Sequence, residues 1–405
     1  MTGAGCIEQV HHMRGRLILL CGLCAVLILF IVSCTGQEKA APEETPESLE
    51  ETVKQYIRDN TIKTALSAAV FNGTNSFSVN TGYTSTSGKK MNDDSTLHYL
   101  YSITKTVVGA VMLDQIQKGN LSLDTPVSSI LDIPKGEYIN TDATVRELLT
   151  HTSGIEDYVD NARLFYANPF RTKVWDPFLL LDFVEHPAVD RGSFMYSSTN
   201  FLLLGCMLER KTGIQLNILI SDFLNTAGVT GMYLSPQDTI DYSRISHPHV
   251  YPGTTLSLTG DGITPIDITT VISDAVCLIG KSGWAAGGMV STAAATARWG
   301  YNLYSDKGTV DSHIRECIYG SVSKFSDPSE PAYGYGVRKI FYKNTVFIGS
   351  YGRSIGSENL MFYNPDTDTC FVILTSSNTD RNKKPDIDDL LYKLYEVVLN
   401  GNEEK

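Results

Sequence analysis

Three serine–lysine pairs at a spacing of three residues could carry acyl-transfer chemistry: Ser87/Lys90, Ser102/Lys105 and Ser321/Lys324. On a helix, this spacing puts both side chains on one face. A desolvated lysine favours its neutral amine, which can take the proton of a neighbouring serine and make it a nucleophile. Ser87 lies in a run of turn formers and Ser321 in a polar connection, where little would fix a side chain. Only Ser102 opens a predicted helix, from about Ser102 to Lys118 and capped by Gly119. That helix is apolar nearly all round, with Ile103, Val107, Val108, Val111, Met112 and Leu113, so it reads as buried. Its first turn would also aim free backbone N–H groups at whatever Ser102 attacks. On these residues alone, a capping serine beside a snorkelling lysine explains the pair equally well.

A rival nucleophile is Ser354, in the elbow-like stretch Gly352–Gly356, "GRSIG". An elbow nucleophile needs its histidine later in the chain, and the last one, His313, precedes it. His247 and His249 lack a third ligand at motif spacing and read as loop residues, so no metal site is expected. The glycines near 287 lack the flanks of a nucleotide fingerprint, and no cofactor is expected.

The elements that must position Ser102 read as a mixed α and β body. Residues 51–60 form a short amphipathic helix, followed by two strands joined by "NGTN". Residues of about 120–280 are rich in helices and loops, with the clearest helices in "TVRELLTH" and "STNFLLLGCMLERKTG". Four strands near 332–377 are spaced as an antiparallel meander, and a last helix follows. The N-terminal strands are expected to join the C-terminal sheet. The helical part would then be an insertion, with a cleft between the two.

Ahead of this body, Arg14 and Arg16 precede a nearly unbroken apolar run from Leu17 to Val32. The run is short for a spanning helix and suits a signal peptide. It ends in "IVSC", which resembles a bacterial lipoprotein cleavage box. The resemblance implies cleavage before Cys34, diacylation of its thiol and anchoring of the body at the cell envelope outside the cytoplasm. An uncleaved anchor is the alternative and gives the same location. Residues 34–50 are acidic, carry Pro42 and Pro46 and read as a tether. The net charge of −12 argues against nucleic acid or an anionic lipid surface as the main partner. Cys206, Cys277, Cys317 and Cys370 show no CxxC spacing, so zinc is not indicated; disulfides and buried thiols both stay open.

The surroundings of Ser102 resemble the serine β-lactamase and penicillin-binding-protein family, on its class C branch. The resemblance is carried by "GNLSLDTPVSSIL" (119–131), "TVRELLTHTSGI" (144–155), "YSSTNFLLLGCMLERKTG" (196–213) and "AAGGMVSTAAATARW" (285–299), and runs from about residue 60 to 400. It implies the β-lactamase/transpeptidase-like fold, an α/β (α+β) architecture with an antiparallel sheet flanked by helices and an inserted, mainly helical subdomain. It implies Ser102 as nucleophile, Lys105 as its partner and Tyr196 as proton relay. The family's second motif is Tyr-x-Asn; here it reads Tyr196-Ser197-Ser198, and a hydroxyl cannot reproduce both ends of an amide. His151 is read as structural.

For the third motif, "KTG" at 211–213 is a helix end and "KSG" at 281–283 comes too early. The glycine and aromatic spacing of "IGSYGRSIGSENLMFYNP" instead selects Ser350-Tyr351-Gly352. Ser350 and Tyr351 then replace the family's cation and small hydroxyl, which bear on recognition of a substrate carboxylate. Arg353 is expected to lend its backbone N–H to the oxyanion and its side chain as a partial substitute for the lost charge. The implied function is an envelope-anchored serine hydrolase acting through an acyl-enzyme on amide, lactam or ester bonds, such as a D-Ala-D-Ala carboxypeptidase or a β-lactamase. The alternatives are an esterase of the same fold, or a catalytically weak protein that binds cell-wall peptides or a partner protein.

Overall fold

The structure is a computed structural model that describes residues 48–403, except 86–89, 134–137, 162, 165–169, 171–172, 252–263, 273, 324–331 and 378–385. The signal segment, Cys34, most of the tether, Ser87 and Lys324 lie outside the described residues. Among the described residues, no helix is long and apolar enough to cross a membrane.

Helix α1 (Leu49–Asn60) starts at Ser48, whose hydroxyl accepts the N–H of Glu51. Strands β1 (Leu66–Phe71) and β2 (Ser76–Thr81) form the expected hairpin. They join β8 (Arg338–Tyr342), β9 (Thr345–Ser354), β10 (Ser357–Asn364) and β11 (Thr369–Thr375) in one antiparallel sheet of order β2-β1-β11-β10-β9-β8. The first strands thus close onto the last, because β1 pairs with β11 from Leu66↔Thr375 to Phe71↔Cys370.

Every residue of β1 and β11 is buried, since helices cover both faces. Alternate residues sort between two cores. Leu66, Ala68, Val70, Phe371 and Ile373 pack with Leu390, Leu391 and Leu394 of the C-terminal helix and with Val53 and Tyr56 of α1. Ala69, Phe71, Val372 and Leu374 face the larger core. That core holds α2 (Thr104–Gln117) and most of the helical middle: α3 (Val145–Leu149), α4 (Ser198–Thr212) and α5 (Leu216–Thr226). A second, three-stranded sheet of order β3-β7-β4 joins β3 (His98–Tyr99), β4 (Met232–Leu234) and β7 (Met289–Ser291). A further strand pair joins β5 (His249–Val250) and β6 (Ile266–Asp267), two residues each, around a stretch whose sequence reads as a loop with weak strands. Further helices are α6 (Ala275–Gly287), α7 (Ala293–Tyr304), α8 (Ser312–Ser323) and α9 (Ile387–Glu403).

The helix predicted to open at Ser102 begins two residues later. Tyr101–Ile103 form a 3-10 turn and α2 starts at Thr104. Tyr101 has a φ of 46°, in the left-handed region, so the chain bends sharply just before Ser102. The Leu100 N–H bonds to the Met289 carbonyl at 2.8 Å, which anchors this bend to β7. Gly119 closes the helix at a φ of 76°.

On β3, His98 is fully buried beside Ser67, with Nε2 3.1 Å from its hydroxyl. Burial pushes its imidazole down to about 4 from an ordinary 6.5. Between those values the unfolded chain binds more protons than the folded one. Stability therefore falls as pH drops from 6.5 towards 4, by about 3 kcal/mol for this group. Urea denaturation at pH 7 and at pH 4.5 should show a loss that shrinks in His98→Gln; an equal loss in both proteins would refute the assignment.

Candidate active site

The 3-10 turn presents Ser102 where three segments converge. Lys105 Nζ lies 3.1 Å from Ser102 Oγ, and the Tyr196 hydroxyl lies 2.7 Å from the same oxygen. Lys105 is only 1% exposed, and among the described residues no carboxylate pairs with it. Its charge is held in other ways. Nζ donates to the Ala286 carbonyl at 2.7 Å, near the C-terminus of α6, where helical carbonyls lack intrahelical partners and favour a cation. The rings of Tyr196 and Phe201 also face it, with centroids at 5.1 Å and 5.7 Å.

Tyr196 is positioned by "LTHTSG". His151 has a φ of 55° and no exposed surface. Its carbonyl accepts the Met195 N–H at 2.8 Å, and its ring lies 4.2 Å from the Tyr196 ring. Nδ1 accepts from the Ser197 N–H and faces the Asn200 amide, both at 3.1 Å. Burial, then the charges of Lys105 and Arg338, hold this imidazole well below its usual value, so it stays neutral. His151 clamps both sides of Tyr196 and touches neither Ser102 nor Lys105 through a hydrogen bond among those described. Ser198 begins α4 and borders the cavity beside Ser102. Asp157 accepts the backbone N–H groups of Ser198 and Val159, and its own burial raises its carboxyl above the usual range.

The third segment is β9. The Ser350 hydroxyl lies 3.4 Å from the Ser102 carbonyl and 3.1 Å from the Tyr351 carbonyl. Gly352 passes so close that an added Cβ would stand 2.0 Å from the Leu100 carbonyl oxygen. Gly352→Ala must therefore push β9 off the nucleophile turn. A drop of roughly 100-fold in kcat/KM is expected, measured on an ester substrate with circular dichroism confirming the fold; full activity would contradict it.

The Tyr351 side chain is not brought to Ser102, which corrects the expectation for it, while Arg353 borders the same cavity as Ser102. Neighbouring residues of a strand face opposite ways. With Ser350 turned to Ser102, the Tyr351 hydroxyl turns to α9 and donates to Asp388, at 2.8 Å and 2.9 Å from its two oxygens. Arg353 shares that face: its guanidinium lies 4.6 Å from the Tyr351 ring centroid, and Nε pairs with Glu358 at 2.7 Å. Its guanidinium thus faces Glu358 as well as the cavity that the residue borders.

A cation that no motif announced stands nearby. Arg338, on the edge strand, pairs in register with Gly349 and sits 5.9 Å from the Tyr196 ring centroid. Only the β8–β9 pairing reveals it. Ser354 ends β9 in a strand–turn–strand connection, which removes the strand–turn–helix setting of an elbow nucleophile. Among the described residues, no group of three His, Cys, Asp or Glu side chains could hold a metal ion, and Cys206, Cys277, Cys317 and Cys370 are free.

The model of the family described as Beta-lactamase matches residues 49–393, most of the chain. The chain belongs to the Beta-lactamase family. This is a family of serine hydrolases, and the mixed helical and antiparallel architecture is its fold. The D-amino acid amidase of Ochrobactrum anthropi SV3 superposes with a TM-score of 0.71 at 18% identity, covering 87% of this chain and 98% of that one. The penicillin-binding protein of Bacillus halodurans gives 0.64 at 17% identity, covering 87% and 98%. At such identities these likenesses speak for the fold alone. In sequence, the penicillin-binding protein PbpX of Bacillus subtilis (strain 168) is 26% identical over 193 residues, 45% of this chain and 46% of that protein. The chain matches less than half the length of the curated relatives it resembles.

Proposed function

We propose that this Beta-lactamase family member is a serine acyl hydrolase that works through a covalent acyl-enzyme on Ser102. The observation that carries the reading is the placement of Ser102 Oγ between Lys105 Nζ at 3.1 Å and the Tyr196 hydroxyl at 2.7 Å. Ser102 attacks a carbonyl carbon while its proton passes to Tyr196, which accepts it in its phenolate form beside Lys105 and so becomes the neutral phenol. The oxyanion is held by the backbone N–H groups of Ser102 and Arg353. Tyr196 then protonates the departing group, and a water releases the acyl group. Ser350, Gly352 and Ser198 shape the walls of this site.

The substrates are amides, lactams or esters, with D-Ala-D-Ala carboxypeptidase and β-lactamase activities first in view, since relatives are named penicillin-binding proteins. A specific observation favours the second reading, an esterase or amidase for other small substrates. Ser350 supplies no cation at the third motif, and Arg353 is paired with Glu358. A solved relative by fold is named D-amino acid amidase. The sequence from Arg14 to Cys34 supports a further part of the proposal, that Cys34 is lipidated and tethers the body at the envelope.

Incubation with a fluorescent penicillin and with a short p-nitrophenyl ester tests the reading. Labelling or turnover is expected with at least one. Silence on both would favour a binding protein.

A further inference from the structure

A cavity of about 400 Å³ opens beside Ser102 and is bordered by Ser198 and Arg353. That volume lies at the small end of the range for ligand pockets, roughly 300–1,000 Å³. Its walls are aliphatic, with Leu164, Ile268, Ile272, Leu278, Ile279 and Ile355. The polar groups that reach it are largely committed elsewhere. The Tyr158 hydroxyl donates to the Ser282 carbonyl at 2.6 Å, and the Asn161 amide donates to the Phe183 carbonyl at 3.0 Å. Arg353 is the one charged residue among the described lining, and it is paired with Glu358. Val159, at the edge of the cavity, is 52% exposed, so the apolar lining reaches solvent.

Tyr196 and Lys105 do not line this space among the described residues. Ser102 and Arg353, whose backbone N–H groups are assigned to the oxyanion, both line it, whereas Tyr196 is the group assigned to protonate what departs. We propose that the cavity is an acyl subsite, and that the preferred substrates are esters or amides of an uncharged, apolar acyl group of medium length. This inference rests on the reading of Ser102 as nucleophile. It goes further by assigning the substrate class and the residues that select it. An acyl chain that enters loses its contact with water along the aliphatic walls, and the gain grows with each methylene until the cavity is full. A terminal carboxylate on the same chain would meet only Arg353, whose guanidinium already pairs with Glu358, and would otherwise lie against aliphatic walls.

The test uses the full-length protein and p-nitrophenyl acetate, butyrate, hexanoate and octanoate. The expected result is a rise in kcat/KM of about fourfold per methylene, the transfer free energy of a buried methylene. A p-nitrophenyl ester of octanoate length that ends in a carboxylate should be slower than the octanoate by more than about tenfold. Ile272→Asn and Ile279→Asn, both only partly buried positions, should each flatten the chain-length slope, with circular dichroism confirming the fold.

A flat or falling slope in the wild type overturns the proposal, as does an unchanged slope in both variants. A second arm separates this failure from that of the catalytic reading. Octanamide and acetamide are titrated into Ser102→Ala by calorimetry. If no ester is turned over but octanamide binds more tightly than acetamide, the catalytic reading fails and the apolar subsite stands. If the two amides bind alike, the subsite is refuted whatever the ester results.

Discussion

Ser102→Ala is expected to lose turnover of every ester, amide or lactam substrate, by a factor on the order of 10⁴ or more, because no oxygen remains to carry the acyl group. The fold should survive. Ser102 contributes hydrogen bonds to Lys105 and Tyr196 but no packing core, and Lys105 keeps its bond to the Ala286 carbonyl. Circular dichroism and a melting curve distinguish loss of the nucleophile from loss of the fold. Activity within tenfold of wild type would move the nucleophile elsewhere, and Ser354, which borders the same cavity, would be the residue to mutate next.

The second large effect is a split between activity and stability at the two partners of Ser102. Tyr196→Phe removes only the oxygen 2.7 Å from Ser102 Oγ and keeps the ring against His151. A fall in kcat of ~10²–10⁴ follows if that oxygen moves protons in the transition state, with little change in melting temperature. Lys105→Met keeps the volume of a nearly fully buried side chain and deletes its charge. Activity should fall by a similar factor. The melting temperature should hold or rise, because a buried cation without a carboxylate partner costs desolvation that the apolar replacement avoids. A lysine kept only for structure would give the reverse: lower stability with kcat intact. Melting curves and steady-state kinetics on the same preparations decide between the two.

The sequence exposed the core of this site because the relevant signals are local. The Ser102/Lys105 spacing needs only one helix, and the apolar residues of α2 mark it as buried before any partner is known. The meander is equally local: each of β8 to β11 pairs with its neighbour in the chain. Joining β1 to β11 was a longer step, between two strands that are mostly apolar and buried throughout.

The third motif shows where local reading ends. Glycine and aromatic spacing set the register of Ser350-Tyr351-Gly352, but strand alternation turned Tyr351 towards Asp388, 37 residues further on. The Arg353 charge met Glu358 across the β9–β10 turn. Arg338 reaches Tyr196 only because the edge strand pairs with Gly349. The start of α2 at Thr104 rather than Ser102 has the same kind of cause. The bend at Tyr101 is imposed by β7 and β9, through the Leu100–Met289 bond and the close pass of Gly352.

The most direct test of the account is to trap the covalent intermediate. The full-length protein is mixed with a p-nitrophenyl ester or a penicillin, quenched in acid within the burst of product release, digested and analysed by mass spectrometry. One acyl adduct is predicted, on the peptide that contains Ser102, and it should be absent from Ser102→Ala. An adduct on Ser354 or on any other residue, or product release that continues undiminished in Ser102→Ala, would contradict the assignment of Ser102 as the nucleophile.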